Sequence, residues 1–130
     1  MPKSLRNLAL MLMLALPTMP GHAGLNTDAP IPASGEFQLV VLEADGCNYC
    51  ALFRRDVLPA YETSERGKDM PVRFVDVNEV GAANLDLDGP VDVVPTFVVM
   101  KHNKEIGRIP GYVGPESFFH TINYLIEAAP

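Results

Sequence analysis

The only two cysteines of the chain, Cys47 and Cys50, stand two residues apart in the stretch "ADGCNYCALF", residues 44–53. A pair so spaced serves three kinds of chemistry: a metal clamp, a structural staple, or a dithiol that trades electrons with other disulfides. A zinc or copper clamp needs further Cys or His ligands. Beyond residue 23 the sequence offers only His102 and His120, one in an expected turn and one on an expected polar helix face, so no metal site is expected. A staple gains little, because linking residues three apart closes almost no loop and removes little chain entropy. Small exported scaffolds that depend on disulfides use four or more cysteines at wider spacing. The spacing therefore favours a working dithiol, which needs no cofactor beyond its own sulfurs.

The elements around the pair decide whether its sulfurs are reactive. Residues 36–44, "EFQLVVLEA", carry the apolar run Leu39–Leu42 of a buried strand. From Cys47 the period changes: Tyr49, Leu52, Phe53, Val57 and Ala60 follow helical spacing, leaving Arg54, Arg55 and Asp56 for water. Pro59 should kink or end that helix. Cys47 then sits where strand becomes helix, and the unpaired N–H groups of the first turn favour a thiolate there. Cys50, one turn on, is placed to attack a mixed disulfide formed at Cys47.

Further along, "PVRFVDV" (71–77) predicts a second strand with Val72, Phe74 and Val75 buried, and "NEVGAANLDL" (78–87) a short weak helix. The runs "TFVVMK" (96–101) and "EIGRIP" (105–110) around "HNK" predict an antiparallel hairpin. Pro115 opens a last helix whose apolar stripe is Phe118, Ile122 and Leu125. A strand–helix–strand unit implies a right-handed parallel crossover, and the hairpin adds antiparallel strands. The expected architecture is α/β: a mixed four-stranded sheet with helices on both faces.

Residues 1–23 read as a secretory signal peptide: Lys3 and Arg6 precede the uncharged run Leu8–Leu16, and small residues end the segment at Ala23. Nine apolar residues fall well short of the ~20 that span a bilayer, so cleavage rather than a membrane anchor is expected. Residues 24–35, rich in Pro and Gly, read as a flexible leader into a domain over 36–130. The whole chain carries 10 basic and 16 acidic residues. Loss of Lys3 and Arg6 leaves a charge of −8, which gives no electrostatic case for nucleic acid or anionic lipid as a partner.

A second signal is "VVPTF", with Pro95 immediately before a strand and 48 residues after Cys47. Together, the CxxC at a helix start and the Pro-Thr before the third strand make residues 36–128 resemble the thioredoxin superfamily. The resemblance implies a thioredoxin-like fold, a cis Val94–Pro95 peptide, and a Val94 backbone that pairs with an extended substrate segment. "LEADGCNYCALF" and "VVPTFVVMKHNKEIGRIPGYVGPESFF" are most similar to the periplasmic thioredoxins associated with bacterial sulfur-oxidation (Sox) systems. That likeness implies a periplasmic location, a periplasmic protein disulfide as substrate and a membrane thiol–disulfide transporter as electron donor.

Two departures stand out. Gly46 replaces the Trp common before the first Cys, and Val41 occupies the place of the buried acid that many members carry. Glu43, on the same strand face as Val41, is the candidate for proton transfer in its stead; it also reads as an ordinary strand-end carboxylate. Tyr49 reads either as a docking surface beside Cys47 or as a side chain packed on the fold. Asn48–Tyr49 brings no cation between the cysteines, while Glu43 and Asp45 put negative charge nearby. Both raise the Cys47 pKa and predict a reductant, nearer the ~ −270 mV of thioredoxin than the ~ −120 mV of strong oxidants. A redox-sensing or partner-binding module without turnover, and a disulfide-forming oxidant, are the competing readings.

Overall fold

The computed structural model describes residues 36–130; the expected signal peptide and leader lie outside the described residues. Four strands, β1 (Phe37–Glu43), β2 (Val72–Asp76), β3 (Thr96–Lys101) and β4 (Lys104–Pro110), form one sheet in the order β2-β1-β3-β4. β1 runs parallel to β2, with Val41 level with Phe74, and antiparallel to β3, with Leu42 level with Thr96. β3 and β4 form the expected hairpin. Its turn residues His102 and Asn103 both have positive φ, the backbone that a two-residue hairpin loop demands.

Leu39 to Leu42 are all buried, because both faces of the sheet are covered. On one face Leu39, Val41, Phe97 and Val99 meet Phe53 from helix α1 (Asn48–Asp56), Tyr61 from α2 (Leu58–Thr63), and Phe118 and Ile122 from α4 (Pro115–Glu127). On the other, Val40, Leu42, Val75, Val98 and Met100 are covered by Val80, Ala83, Leu85, Leu87 and Val91. The weak helix expected over 78–87 contracts to a single 3-10 turn, Val77–Glu79. The rest of that cover is irregular, because Gly81 interrupts it and Asn84 adopts positive φ. Of the expected strand residues Val72, Phe74 and Val75, the first two are half-buried on the helical face and Val75 is buried on the other.

Pro59 breaks the long expected helix. α1 ends at Asp56, Val57 is distorted to φ −116°, and α2 resumes with Pro59 in its first turn, where a missing N–H costs nothing. Phe53, Val57 and Tyr61 are buried at i, i+4 and i+8, while Ala60, expected inside, is exposed. A five-residue helix, α3 (Glu65–Asp69), follows, capped by the Ser64 hydroxyl, which accepts from Gly67 N–H.

The stretch Asn84–Pro90 is clipped along β4. Asp86 pairs with Lys104 as a parallel bridge, and Glu105 N–H donates to the Asp86 carbonyl at 2.9 Å. Glu105, only 4% exposed, accepts from Asp88 N–H and from the Arg108 guanidinium, which also donates to the carbonyls of Gly89 and Pro90.

Candidate functional site: a dithiol at a helix start

β1 delivers the chain to the C-terminal end of the sheet, and a tight turn sends it into α1. Gly46 has φ +73°, a left-handed backbone that side chains with a Cβ rarely adopt. That explains why glycine stands where the resemblance led one to look for tryptophan. Cys47 is the N-cap of α1 and Cys50 lies within its first turn. A disulfide joins them. The Cys50 N–H points at the Cys47 sulfur, 3.1 Å away, so a free donor of the first turn is aimed where a thiolate forms on reduction. Cys47 is half-buried and Cys50 only 5% exposed. The pair thus has one reachable sulfur with a covered one behind it.

The sheet register brings the second motif to the same end. Thr96 is level with Leu42, so Val94, two residues earlier, leaves the sheet level with Ala44, just before the cysteine turn. The Val94–Pro95 peptide is cis. Pro95 is buried and its carbonyl accepts from Gly111 N–H at 2.8 Å, while the Thr96 hydroxyl donates to the Val93 carbonyl. Among the described residues, neither the N–H nor the carbonyl of Val94 has a backbone partner. An extended segment could take both, as in strand addition. Tyr49 is 59% exposed and faces solvent rather than packing on the fold.

Sequence reasoning did not single out two further residues at this end. Val93 and Val113 are also exposed apolar side chains, brought there by the segment before β3 and by the loop after β4. Only the Gly-bearing turn "PGYVGP" hinted at the second. In that loop Tyr112 packs edge-on against Phe53 and Phe97. Burial and the neighbouring Asp56 charge raise its phenol pKa, and its hydroxyl has no partner among the described residues.

Glu43, Asp45, Arg54 and Asp76 line a cavity of about 370 Å³ together with both cysteines. Glu43 is therefore brought to the dithiol, but not as an isolated acid. Arg54, expected in water, reaches back across α1 so that its Nε and Nη2 donate to the two Glu43 oxygens. Its guanidinium lies 3.6 Å over the Phe74 ring. His102 sits at the opposite end of the sheet and His120 is exposed on α4. Among the described residues no group of three His, Cys, Asp or Glu side chains could hold a metal.

A family model described as a thioredoxin-like domain matches residues 29–126. Among solved structures, the periplasmic thioredoxin SoxS from Paracoccus pantotrophus, in its reduced form, is 34% identical over 71% of this chain and 97% of its own, with a TM-score of 0.68. A thioredoxin from Halobacterium salinarum (23% identity, 74% and 80% coverage, TM-score 0.52) shares the fold. So does mitochondrial thioredoxin 3 from Saccharomyces cerevisiae, oxidised form (19%, 70% and 80%, 0.51). Among curated proteins none matches the chain.

Proposed function

The chain belongs to the thioredoxin-like family and is a protein thiol–disulfide oxidoreductase; from that premise we propose that it is exported to the periplasm and works there as a reductant. The observation that carries the reading is the asymmetric pair at the start of α1, with a reachable Cys47 sulfur and Cys50 covered behind it. Residues 1–23 and the periplasmic setting of the Paracoccus relative support export, and that relative's name supports a place in sulfur oxidation.

In the reduced protein the Cys47 thiolate attacks one sulfur of a partner's disulfide, forming a mixed disulfide and releasing the partner's other sulfur as a thiolate. Cys50 loses its proton and attacks the Cys47 sulfur, expelling the partner's second thiolate and closing the Cys47–Cys50 disulfide. Two electrons pass to the partner, and a membrane thiol–disulfide transporter returns two to the chain. During the mixed-disulfide stage the free N–H and carbonyl of Val94, beside Pro95, hold the partner's backbone, and Tyr49 supplies a flat contact beside Cys47. Glu43 takes the Cys50 proton; a carboxylate has lone pairs beyond the two that Arg54 occupies.

Direction follows from charge. No cation lies between the cysteines, and the one cation lining the cavity is folded onto Glu43, so Asp45 and Asp76 remain uncompensated there. Negative charge disfavours the thiolate and with it the dithiol-stabilised state of strong oxidants.

The test is a Cys50→Ser variant produced in cells that export it. Mixed disulfides through Cys47, absent from Cys47→Ser, would identify the substrate and support turnover. A partner that co-purifies without any covalent adduct would instead establish a binding or sensing module. A midpoint potential above about −180 mV, the value of disulfide isomerase, would reverse the direction.

A further inference from the structure

Arg54 has no place in the exchange steps, yet it is the most constrained cation near the dithiol. It lies four residues after Cys50 and seven after Cys47, which in a helix puts all three on one face. By helical rise, its Cα is about 6 Å along the axis from that of Cys50 and about 10 Å from that of Cys47. Its guanidinium is held from two sides, by both oxygens of Glu43 and by the Phe74 ring. An ordinary solvated arginine has neither restraint.

We infer that Arg54 is a positioning residue that, together with Glu43, sets how readily the dithiol ionises: a fixed cation and a fixed anion that nearly cancel as seen from the sulfurs. The inference deepens the proposed function and rests on the same site. Among the described residues, the charged groups that line the cavity with the sulfurs are few. They are Glu43 from β1, Asp45 from the turn, Arg54 from α1 and Asp76 from the end of β2. Asp92 and Tyr112 stand on the two loops at that end. Asp76 already accepts from Asn78 and no cation pairs with it among the described residues. Thus the Glu43–Arg54 pair is the element whose net charge a single substitution can push either way.

The consequence is a pair of shifts of opposite sign. Glu43→Gln leaves the Arg54 cation unopposed, so the thiolate of the reduced protein should form at lower pH. Arg54→Gln leaves the Glu43 carboxylate unopposed, so it should form at higher pH. Half a pH unit or more in each direction is expected, about threefold in thiolate fraction below the midpoint. The double variant should return to within a few tenths of the wild-type value.

The measurement is thiolate absorbance near 240 nm against pH on the fully reduced proteins, with the first macroscopic midpoint of the dithiol compared and the iodoacetamide alkylation rate as a second readout. Arg54→Lys separates charge from scaffolding. It keeps the cation and loses the fork and the stacking, so a charge role predicts a midpoint near wild type, and a purely structural role predicts the same displacement as Arg54→Gln. Shifts of the same sign in Glu43→Gln and Arg54→Gln, or none in either, would overturn the inference. The titration does not depend on turnover, so a wild-type protein that fails to reduce insulin disulfides would count against the proposed reductant and leave the role of Arg54 to be decided by the midpoints.

Discussion

At the scale of single residues, the reactive pair announces itself in the sequence, because two cysteines three apart have few uses and the switch from strand to helix period marks their place. Their unequal exposure is harder to read. It depends on how α1 lies across the sheet, and Phe53 decides that by packing against both Phe97 and Phe118. Tyr49 shows the limit plainly: at a helix start its spacing suits the core and the surface equally, and only the packing of Phe53 turns it outward. With Tyr49 in solvent beside Cys47, a Tyr49→Ala variant should lose about tenfold in kcat/KM on a protein disulfide, roughly 1.4 kcal/mol of contact. Steady-state kinetics should show the loss in KM rather than kcat. Arg54 is exposed, as its place on the polar side of α1 predicts, but its partners Glu43 and Phe74 come from β1 and β2, and no local pattern reveals a contact across 11 or 20 residues.

At the scale of elements, the strands were legible and the short helices were not. β3 matches the expected run at both ends, since five consecutive buried residues bounded by Pro95 and a two-residue turn leave little choice. α3 is one turn long and has no period to detect; its capping serine is the only local mark. The segment 78–91 is held by tertiary means, and Glu105 is central to them. Burial pushes the Glu105 carboxyl up, but the Arg108 hydrogen bonds, the Asp88 N–H and the Arg108 charge outweigh that and hold it below the ordinary 4.5. A carboxyl depressed on folding adds stability above its unfolded pKa and loses it as pH falls through the folded one. The wild type should therefore lose stability on acidification below about pH 4.5, and Glu105→Gln should show a weaker dependence there. At pH 7 the variant should be less stable by about 3 kcal/mol, because Arg108 is left half-buried without its partner. Urea unfolding at a series of pH values checks both.

For the molecule as a whole, the α/β class and the mixed four-stranded sheet were readable from the order of the elements. The unequal cover of its two faces was not, because it depends on a helix failing to form where Gly81 and Asn84 interrupt the chain. The helical face carries the larger core, and Phe53 touches the rings of Phe97, Tyr112 and Phe118. Phe53→Ala should cost about 3–5 kcal/mol in thermal or urea unfolding. The same substitution should slow disulfide exchange in the protein that stays folded, since α1 loses the anchor that orients Cys47; a stopped-flow assay at low temperature separates the two effects.

The strip Asn84–Pro90 along β4 has a consequence for life at high concentration. An outermost strand with vacant amides invites a stranger's backbone to join the sheet, the first step toward fibres. Here the Glu105 amide already belongs to Asp86 and the flank is overlaid by chain. The remaining margin, β2, is only five residues long and carries the charged Arg73. Among the described residues the margins of the sheet are thus guarded, while the unpaired backbone of Val94 lies at the end of the sheet that carries the cysteines.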